Sequence, residues 1–355
     1  MNTPRIFADH RRLLCDGVPL IDLRAPAEFT QGAFPSAINL PLLTDAERAA
    51  VGTCFKECGQ RSAIELGHSL VSGATRTARI DAWRAFIATR PNALLYCWRG
   101  GLRSQIAQEW LLGAGVDIAR IAGGYKALRR ACIEATSEFS VPSRLLVIGG
   151  RTGSGKTELL NEFSRSIDLE RLANHRGSAF GATFTPQPMP VAFENELAIE
   201  MLRRIAHPRV LLEDESRTIG RLALPEILHD ALQTAPLVVL DIGRDERAMR
   251  IYQEYVEAPL SLGVPSTQLQ ERFGAAVDRI RRRLGAVRHA EVRGTIEAAF
   301  SVGRIGSDAH LVWIERLLEW YYDPMYEHQL TAKHSRILLT GDRKTVRAFL
   351  TKTLA

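Results

Sequence analysis

Two short stretches carry residues whose types and spacing could do chemistry. Residues Gly150 to Thr157 read GRTGSGKT, the pattern G-x-x-x-x-G-K-[ST], directly after the apolar run RLLVIGG and before TELLNEFSRSI, which reads as a helix. Gly150, Gly153 and Gly155 let the backbone turn its N–H groups inward, where they and the N-terminus of the following helix meet an anion. Gly150, Gly153, Ser154, Gly155, Lys156 and Thr157 are therefore expected to bind phosphate or diphosphate, with Lys156 as a point charge for the terminal oxygens. If the ligand is a nucleotide, Thr157 is placed to hold Mg²⁺. The run LLEDES then offers Glu213, Asp214 and Glu215 at a strand end, with Asp214 the expected metal partner of Thr157. The motif specifies a phosphate and leaves the rest of the ligand open. Downstream, LANHRGSAFG (Leu172 to Gly181) sets His175, Arg176 and Ser178 among small residues, a loop able to close over that ligand; a plain solvent-exposed connection is the competing reading.

The second stretch, LLYCWRGGLRS (Leu94 to Ser104), reads as a buried strand ending at Cys97, a glycine turn, and a helix from about Ser104. Inward-facing amides of Trp98 to Leu102, a helix N-terminus and the charges of Arg99 and Arg103 would lower the thiol pKa and hold an anion beside it. Cys97 is thus a candidate nucleophile, with Arg99 and Arg103 as its catalytic companions. A structural cysteine at a strand end is the alternative. Cys15, Cys54, Cys58 and Cys132 lack such surroundings. Cys54 and Cys58, four residues apart, could be two metal ligands, but no second pair completes a site.

The elements that must position these groups fall into two halves. Strand-like runs at Pro19 to Leu23, Ala37 to Leu40, Ala93 to Trp98 and Ile118 to Ala122 alternate with amphipathic helical stretches, the pattern of an α/β module. The polar stretch ACIEATSEFSVPSR then precedes a new strand at Arg144 to Gly150. A boundary near Val141 predicts a first domain over 1–137 and a second over 138–355. The second half continues with strands at Val210 to Glu213 and Leu237 to Ile242, and becomes helical and Arg-rich from about Asp245 to Trp320.

Composition sets outer limits. With 355 residues, 46% hydrophobic and 24% charged, the chain has material for two cores, which argues against wholesale disorder or a coiled coil. The opening thirty residues show no apolar signal core, and no apolar run approaches the roughly 18 residues of a membrane span. A soluble, cytoplasmic protein with no membrane partner and reduced thiols is the expectation. Net charge is +6 and 40 of the 46 basic residues are Arg, whose forks suit phosphates and base edges. A GC-rich genome would produce the same bias, so charge only permits a nucleic-acid partner. Arg272, Arg279, Arg281, Arg282, Arg283, Arg288 and Arg293 fall on one helical segment, and their spacing predicts a basic face for backbone phosphates, or else an ordinary solvated helix. Trp313, Trp320, Tyr321 and Tyr322 recur at helical spacing and read as core rather than as base-stacking platforms.

The first half resembles a rhodanese domain. IDLRAPAEFTQGAFPSAINLP (Ile21 to Pro41) is similar to that family's D-x-R-x-x-x-E-F…G-x-x-P-x-A-x-N-x-P signature, and RIAGGYKAL (Arg120 to Leu128) to its closing glycine stretch. The resemblance implies a thiolate at Cys97 able to carry a transferable group. Asp22, Arg24 and Glu28 read as an ion-pair network beside that loop, without a chemical role. The spacing Cys97 to Arg103 is C-x5-R, one residue longer than the usual sulfurtransferase loop and equal to that of the related cysteine phosphatases, so Cys97 is expected to face a tetrahedral, phosphate-like anion.

A rhodanese-like parallel-sheet domain followed by a P-loop NTPase-like α/β domain with a helical, Arg-rich C-terminal part resembles the tRNA 2-selenouridine synthase family. CWRGGLRS, GRTGSGKT, LANHRGSAFG and YYDPMYEHQL (Tyr321 to Leu330) stand here in that order. The resemblance implies a transferase acting on the wobble 2-thiouridine in the anticodon region of tRNA. It would need no tightly bound cofactor, take selenophosphate (and so a selenophosphate source) and geranyl diphosphate as co-substrates, and have Mg²⁺ as an option. On that reading the Arg-rich segment is the tRNA-binding face. Nothing in the sequence sets an oligomeric state. Three rivals remain: a nucleotide-driven kinase or NTPase with a regulatory rhodanese domain; a C-x5-R phosphatase, disfavoured because Tyr96 stands where such enzymes carry His; and a non-enzymatic RNA-binding protein.

Overall fold

Short apolar runs alternating with helices build parallel strands, because each crossover returns the chain in the same direction. The computed structural model describes residues 5–301 and 307–354. The chain divides into Met1–Phe139 with Pro188–Arg203, and Ser140–Gln187 with Arg204–Ala355. In the first unit β1 (Ile6–Phe7), β2 (Leu20–Asp22), β3 (Ala37–Asn39), β4 (Leu94–Tyr96) and β5 (Arg120–Ile121) form one parallel sheet in the order β1-β5-β4-β2-β3. Strand β1 has no counterpart among the runs marked in the sequence. All residues of β2 and β4 are buried, as expected of strands covered on both faces. Leu20 pairs with Leu94, Ile21 with Leu95 and Asp22 with Tyr96, so the carboxyl ends of β2 and β4 lie side by side. Open parallel sheets bind ligands at such ends.

The helix Pro190–Arg204 corrects the expected boundaries, which gave all of 138–355 to the second domain. Its residues up to Arg203 belong with the first unit. Ala198, Ile199 and Leu202 on its apolar face are buried against Leu13, Leu14, Cys132 and Ala135. Asn195 donates to the Ala33 carbonyl at 3.1 Å, and Arg129 donates to Asn195 at 3.0 Å.

Beneath the carboxyl ends of β2 and β4 lies a fully buried ion pair. Arg24 donates to both carboxylate oxygens of Asp22 at 2.6–3.0 Å and to the Gly32 carbonyl at 2.9 Å, while Tyr96 Oη donates to Asp22 at 2.7 Å. The guanidinium sits 3.8 Å from the centre of the Tyr125 ring. Glu28 is not part of this network, contrary to the sequence expectation: it pairs with Arg103 at 2.6 Å and with Arg48 at 3.8 Å. Arg24→Met should cost the first unit about 3–5 kcal/mol, because Asp22 would stay buried and unpaired. In a urea titration this appears as a first-unit transition at markedly lower denaturant, and a midpoint equal to wild type would contradict it.

The second unit contains β6 (Leu145–Gly150), β7 (Ser166–Ile167), β8 (Val210–Glu213), a small antiparallel ribbon of β9 (Thr218–Ile219) and β10 (Leu222–Ala223), then β11 (Leu237–Leu240) and β12 (Ile337–Gly341). Five of these make a parallel sheet in the order β12-β11-β6-β8-β7, with the wholly buried β6 at its centre. The helix expected across TELLNEFSRSI is confined to Lys156–Leu160. Side chains beyond it bond locally and compete with helix: Ser166 Oγ donates to the Phe163 carbonyl at 2.6 Å and Asn161 to Asp168 at 3.0 Å, and the chain turns into β7. Trp313, Tyr321 and Tyr322 are buried in the helical core with Phe273, Val277 and Leu318, as the helical spacing predicts. Trp320 is partly buried beside the guanidinium groups of Arg288 and Arg316 at 5.4 and 5.7 Å.

Candidate active site

The carboxyl end of β6 opens into the glycine turn. At Gly153 φ is +81°, and a Cβ there would fall 2.8 Å from Ile251 Cδ1 and 2.9 Å from the Arg247 carbonyl, so only glycine fits. Lys156 Nζ donates to the Gly150 carbonyl at 3.0 Å, folded back along its own loop. Ser154 Oγ is buried without a hydrogen-bond partner. With a helix of only five residues behind it, the turn draws its positive charge from its own amides and Lys156 more than from a helix dipole.

Thr157 Oγ1 donates to Glu213 and, at 3.3 Å, to Glu170. Asp214, the acid expected to share a metal with Thr157, lines the same cavity but does not meet Thr157. Successive residues leave a strand on opposite sides, and Asp214 is held by Lys333 at 2.7 Å and Arg336 at 3.4 Å. Glu213 is the acid that meets Thr157. Glu170, Glu213 and Glu215 keep their protons far above the usual carboxylate range, up to about 8, first because burial penalises charge and then because each faces another carboxylate. A divalent cation would relieve this. The Thr157 hydroxyl and Glu213, whose Oε2 is buried and unpartnered, fit one. Among the described residues no three His, Cys, Asp or Glu groups converge on a ligand set, so the ligand's own phosphate oxygens would have to complete it.

The raised carboxyl pKa values have a consequence for stability. Between the unfolded value of about 4.3 and about 8, the folded chain binds protons that the unfolded chain has released. This cluster therefore costs stability as pH rises through that window. Glu213→Gln removes one such group, and its unfolding free energy should fall less steeply than wild type's between roughly pH 5 and pH 9. Guanidinium unfolding at several pH values checks this, and parallel slopes would contradict it.

The loop after the helix Leu169–Ala173 folds on itself. Asn174, at φ +48°, donates to Thr185 Oγ1 at 2.8 Å, and Arg176 N donates to the Gly181 carbonyl at 2.8 Å. A Cβ at Gly177 would fall 2.6 Å from Glu170 and 3.0 Å from Glu215, so the loop lies directly on the acid cluster. The glycine turn, this loop and the helical region line a cavity of about 1950 Å³. His175 and Arg176 face it. Arg176 also stacks 4.7 Å from the Tyr255 ring centre and donates to the Glu254 carbonyl at 3.1 Å. Tyr321, Tyr322 and Tyr326, with Met325, form one wall of the cavity.

The Arg run does not form one face. Gly285, at φ +85°, and the break at Ile280 split it into helices Ser266–Arg279, Arg281–Leu284 and Ala286–Ser301. Arg279, Arg282 and Arg283 line the P-loop cavity instead. Arg279 donates to the Ala179 carbonyl at 2.7 Å, tethering the loop, and Arg283 to Tyr321 Oη at 3.3 Å. Arg272 stacks 4.5 Å from the Phe184 ring centre, Arg281 is exposed, and Arg293 pairs with Asp278 and Glu297. The sequence reading passed over Arg247 and Asp323, a buried pair at 2.9 Å in which Arg247 also donates to the Thr152 carbonyl. It ties YYDPMYEHQL to the glycine turn. An acid within an aromatic run is the only sequence signal of it.

In the first unit Cys97 lies at the end of β4, 3% exposed. Its Sγ donates to Ser104 Oγ at 3.4 Å, and Ser104 Oγ donates to the Gly101 carbonyl at 2.8 Å. The loop is clamped from outside. Tyr125 N donates to the Cys97 carbonyl at 2.9 Å and Arg120 to the Gly100 carbonyl at 2.8 Å, and a Cβ at Gly124 would overlap the Cys97 carbonyl and Gly100 N. Arg103 departs from expectation. It is paired with Glu28, whose carboxyl pKa burial raises but Arg103, the Ala25 amide and Arg48 together lower by more, leaving it below its ordinary value. Arg99 is exposed, and so is the loop arginine without a tie to Glu28.

Comparison with known proteins bears on both units. Residues 143–355 match the family described as tRNA 2-selenouridine synthase AAA domain. A tRNA 2-selenouridine synthase from Shewanella frigidimarina is 45% identical over 356 residues, covering 97% of this chain and 97% of that protein. One from Aeromonas salmonicida is 47% identical over 96% of this chain and 94% of its own length, and one from Azotobacter vinelandii 44% over 98% and 97%. No helix among the described residues is long and apolar enough to cross a membrane. With near full-length identity of this order, the chain belongs to the tRNA 2-selenouridine synthase family.

Proposed function

We propose that the protein replaces the sulfur of wobble 2-thiouridine in tRNA with selenium in two steps, and that the two anion loops divide them. The C2 carbon of a thiouridine is a poor electrophile with a poor leaving group. In the first step the sulfur attacks C1 of geranyl diphosphate, the C–O bond breaks and diphosphate departs. The amides of Gly153 to Lys156 and the Lys156 ammonium neutralise its growing charge, and a cation on Thr157 and Glu213 would add Lewis-acid stabilisation when bound. In the second, the selenium of selenophosphate attacks C2 and geranyl thiol leaves. Water then splits the Se–P bond, releasing phosphate and leaving the selenocarbonyl. Cys97 and Arg99 serve this half.

The observation that carries the reading is the composition of the large cavity. A phosphate cradle and a wall of Tyr321, Tyr322 and Met325 line one space, which suits a diphosphate with an apolar tail. Mass analysis of nucleosides from 2-thiouridine tRNA incubated with geranyl diphosphate and selenophosphate tests it. Geranylthiouridine and then selenouridine are expected; the appearance of neither would reject the reading.

A further inference from the structure

A second, smaller cavity of about 390 Å³ adjoins the first, and Thr183 and Phe184 line both. Phe184 is 49% exposed although it belongs to a loop whose other phenylalanine, Phe180, is buried. Its position is set from both sides. Thr183 Oγ1 donates to the Asn174 and Thr185 carbonyls at 3.1 and 2.8 Å, and the Arg272 guanidinium lies 4.5 Å from the ring centre. A guanidinium on one face leaves the rest of the ring open, and Gln268 and Glu271 edge the adjoining space with hydrogen-bonding groups.

We propose that Phe184, held by Arg272 where the two cavities meet, is a stacking platform for an unpaired base of the tRNA anticodon loop. The inference rests on the tRNA reading above. Single-stranded RNA is bound by aromatic rings that stack bases and by guanidinium groups that meet phosphates. Both are present within one loop of the phosphate cradle. Arg176, Arg272 and Arg279 gather on this side closely enough that Arg176, after burial, lowers the pKa of Arg272, and that Arg272 and Arg279, again after burial, lower that of His175. His175 Nδ1 is buried and unpartnered, free to meet a base or ribose. A base stacked on Phe184 would stand beside the space that holds the diphosphate.

The test uses the full chain and an anticodon stem-loop RNA with 2-aminopurine next to the wobble position, whose fluorescence falls on stacking. Wild type should bind and quench. Phe184→Ala should bind about tenfold more weakly and lose the quench, Phe184→Leu should lose the quench although it stays apolar, and Phe184→Tyr should restore both. With full-length tRNA, Phe184→Ala should raise KM while sparing kcat. If Phe184→Ala or Phe184→Leu binds and quenches as wild type does, the platform is disproved while the tRNA reading stands. If wild type itself fails to bind the stem-loop or tRNA, both readings fall together.

Discussion

Lys156→Ala should lower the rate of S-geranylation by roughly 10²–10³-fold, the loss seen when one preorganised donor is taken from a developing oxyanion. Lys156 is the one side-chain cation within the glycine turn from Gly153 to Thr157, and its ammonium already reaches the Gly150 carbonyl. The change should leave the fold intact, because the side chain is only partly buried and its ammonium bonds a loop carbonyl. Single-turnover formation of geranylthiouridine measures the effect. Supplying chemically geranylated tRNA should bypass it, with selenium entry from selenophosphate near the wild-type rate. A variant that geranylates at full speed would remove the cradle from the reaction. Robust ATP or GTP hydrolysis by wild type, lost in the same variant, would instead favour a nucleotide-driven enzyme.

Cys97→Ala should show the reverse pattern: geranylation near wild type, with accumulation of geranylthiouridine, and selenium entry reduced by at least about 10³-fold if the thiol touches the reacting atoms. The substitution deletes one buried atom from a loop held by Tyr125, Arg120 and Gly124, so the expected structural cost is small beside the catalytic one. Cys97→Ser is the useful companion. It keeps the link to Ser104 but lacks the nucleophilicity of a thiol, and should fail like alanine if the sulfur reacts. Equal loss of both steps in folded Cys97→Ala protein would show that the two loops do not divide the chemistry.

Glu28 and Arg103 illustrate where linear reasoning stopped. The loop spacing offered Arg103 as a charge to hold an anion beside the thiol, but a carboxylate far away in sequence, on the helix Pro26–Thr30, pairs with it. Likewise the Arg run read as one basic face until Ile280 and Gly285 broke it and turned Arg279, Arg282 and Arg283 into the P-loop cavity. Strand β12 escaped notice because it is an edge strand of modest burial whose partner β11 lies about a hundred residues away. The core strands β2, β4, β6, β8 and β11 were legible, since burial on both faces favours apolar runs, broken in β2 and β8 only by the terminal acids Asp22 and Glu213.

The amino-acid order by itself determined the parallel α/β class and the positions of the glycine turn and the thiol loop, because those depend on residue type, spacing and local backbone freedom. Tertiary structure alone decided which acid meets Thr157, which arginines face the cavity, and which unit holds the helix Pro190–Arg204. Each of those is a competition between groups distant in the chain, settled by burial: a charge removed from water takes whichever partner packing brings within reach.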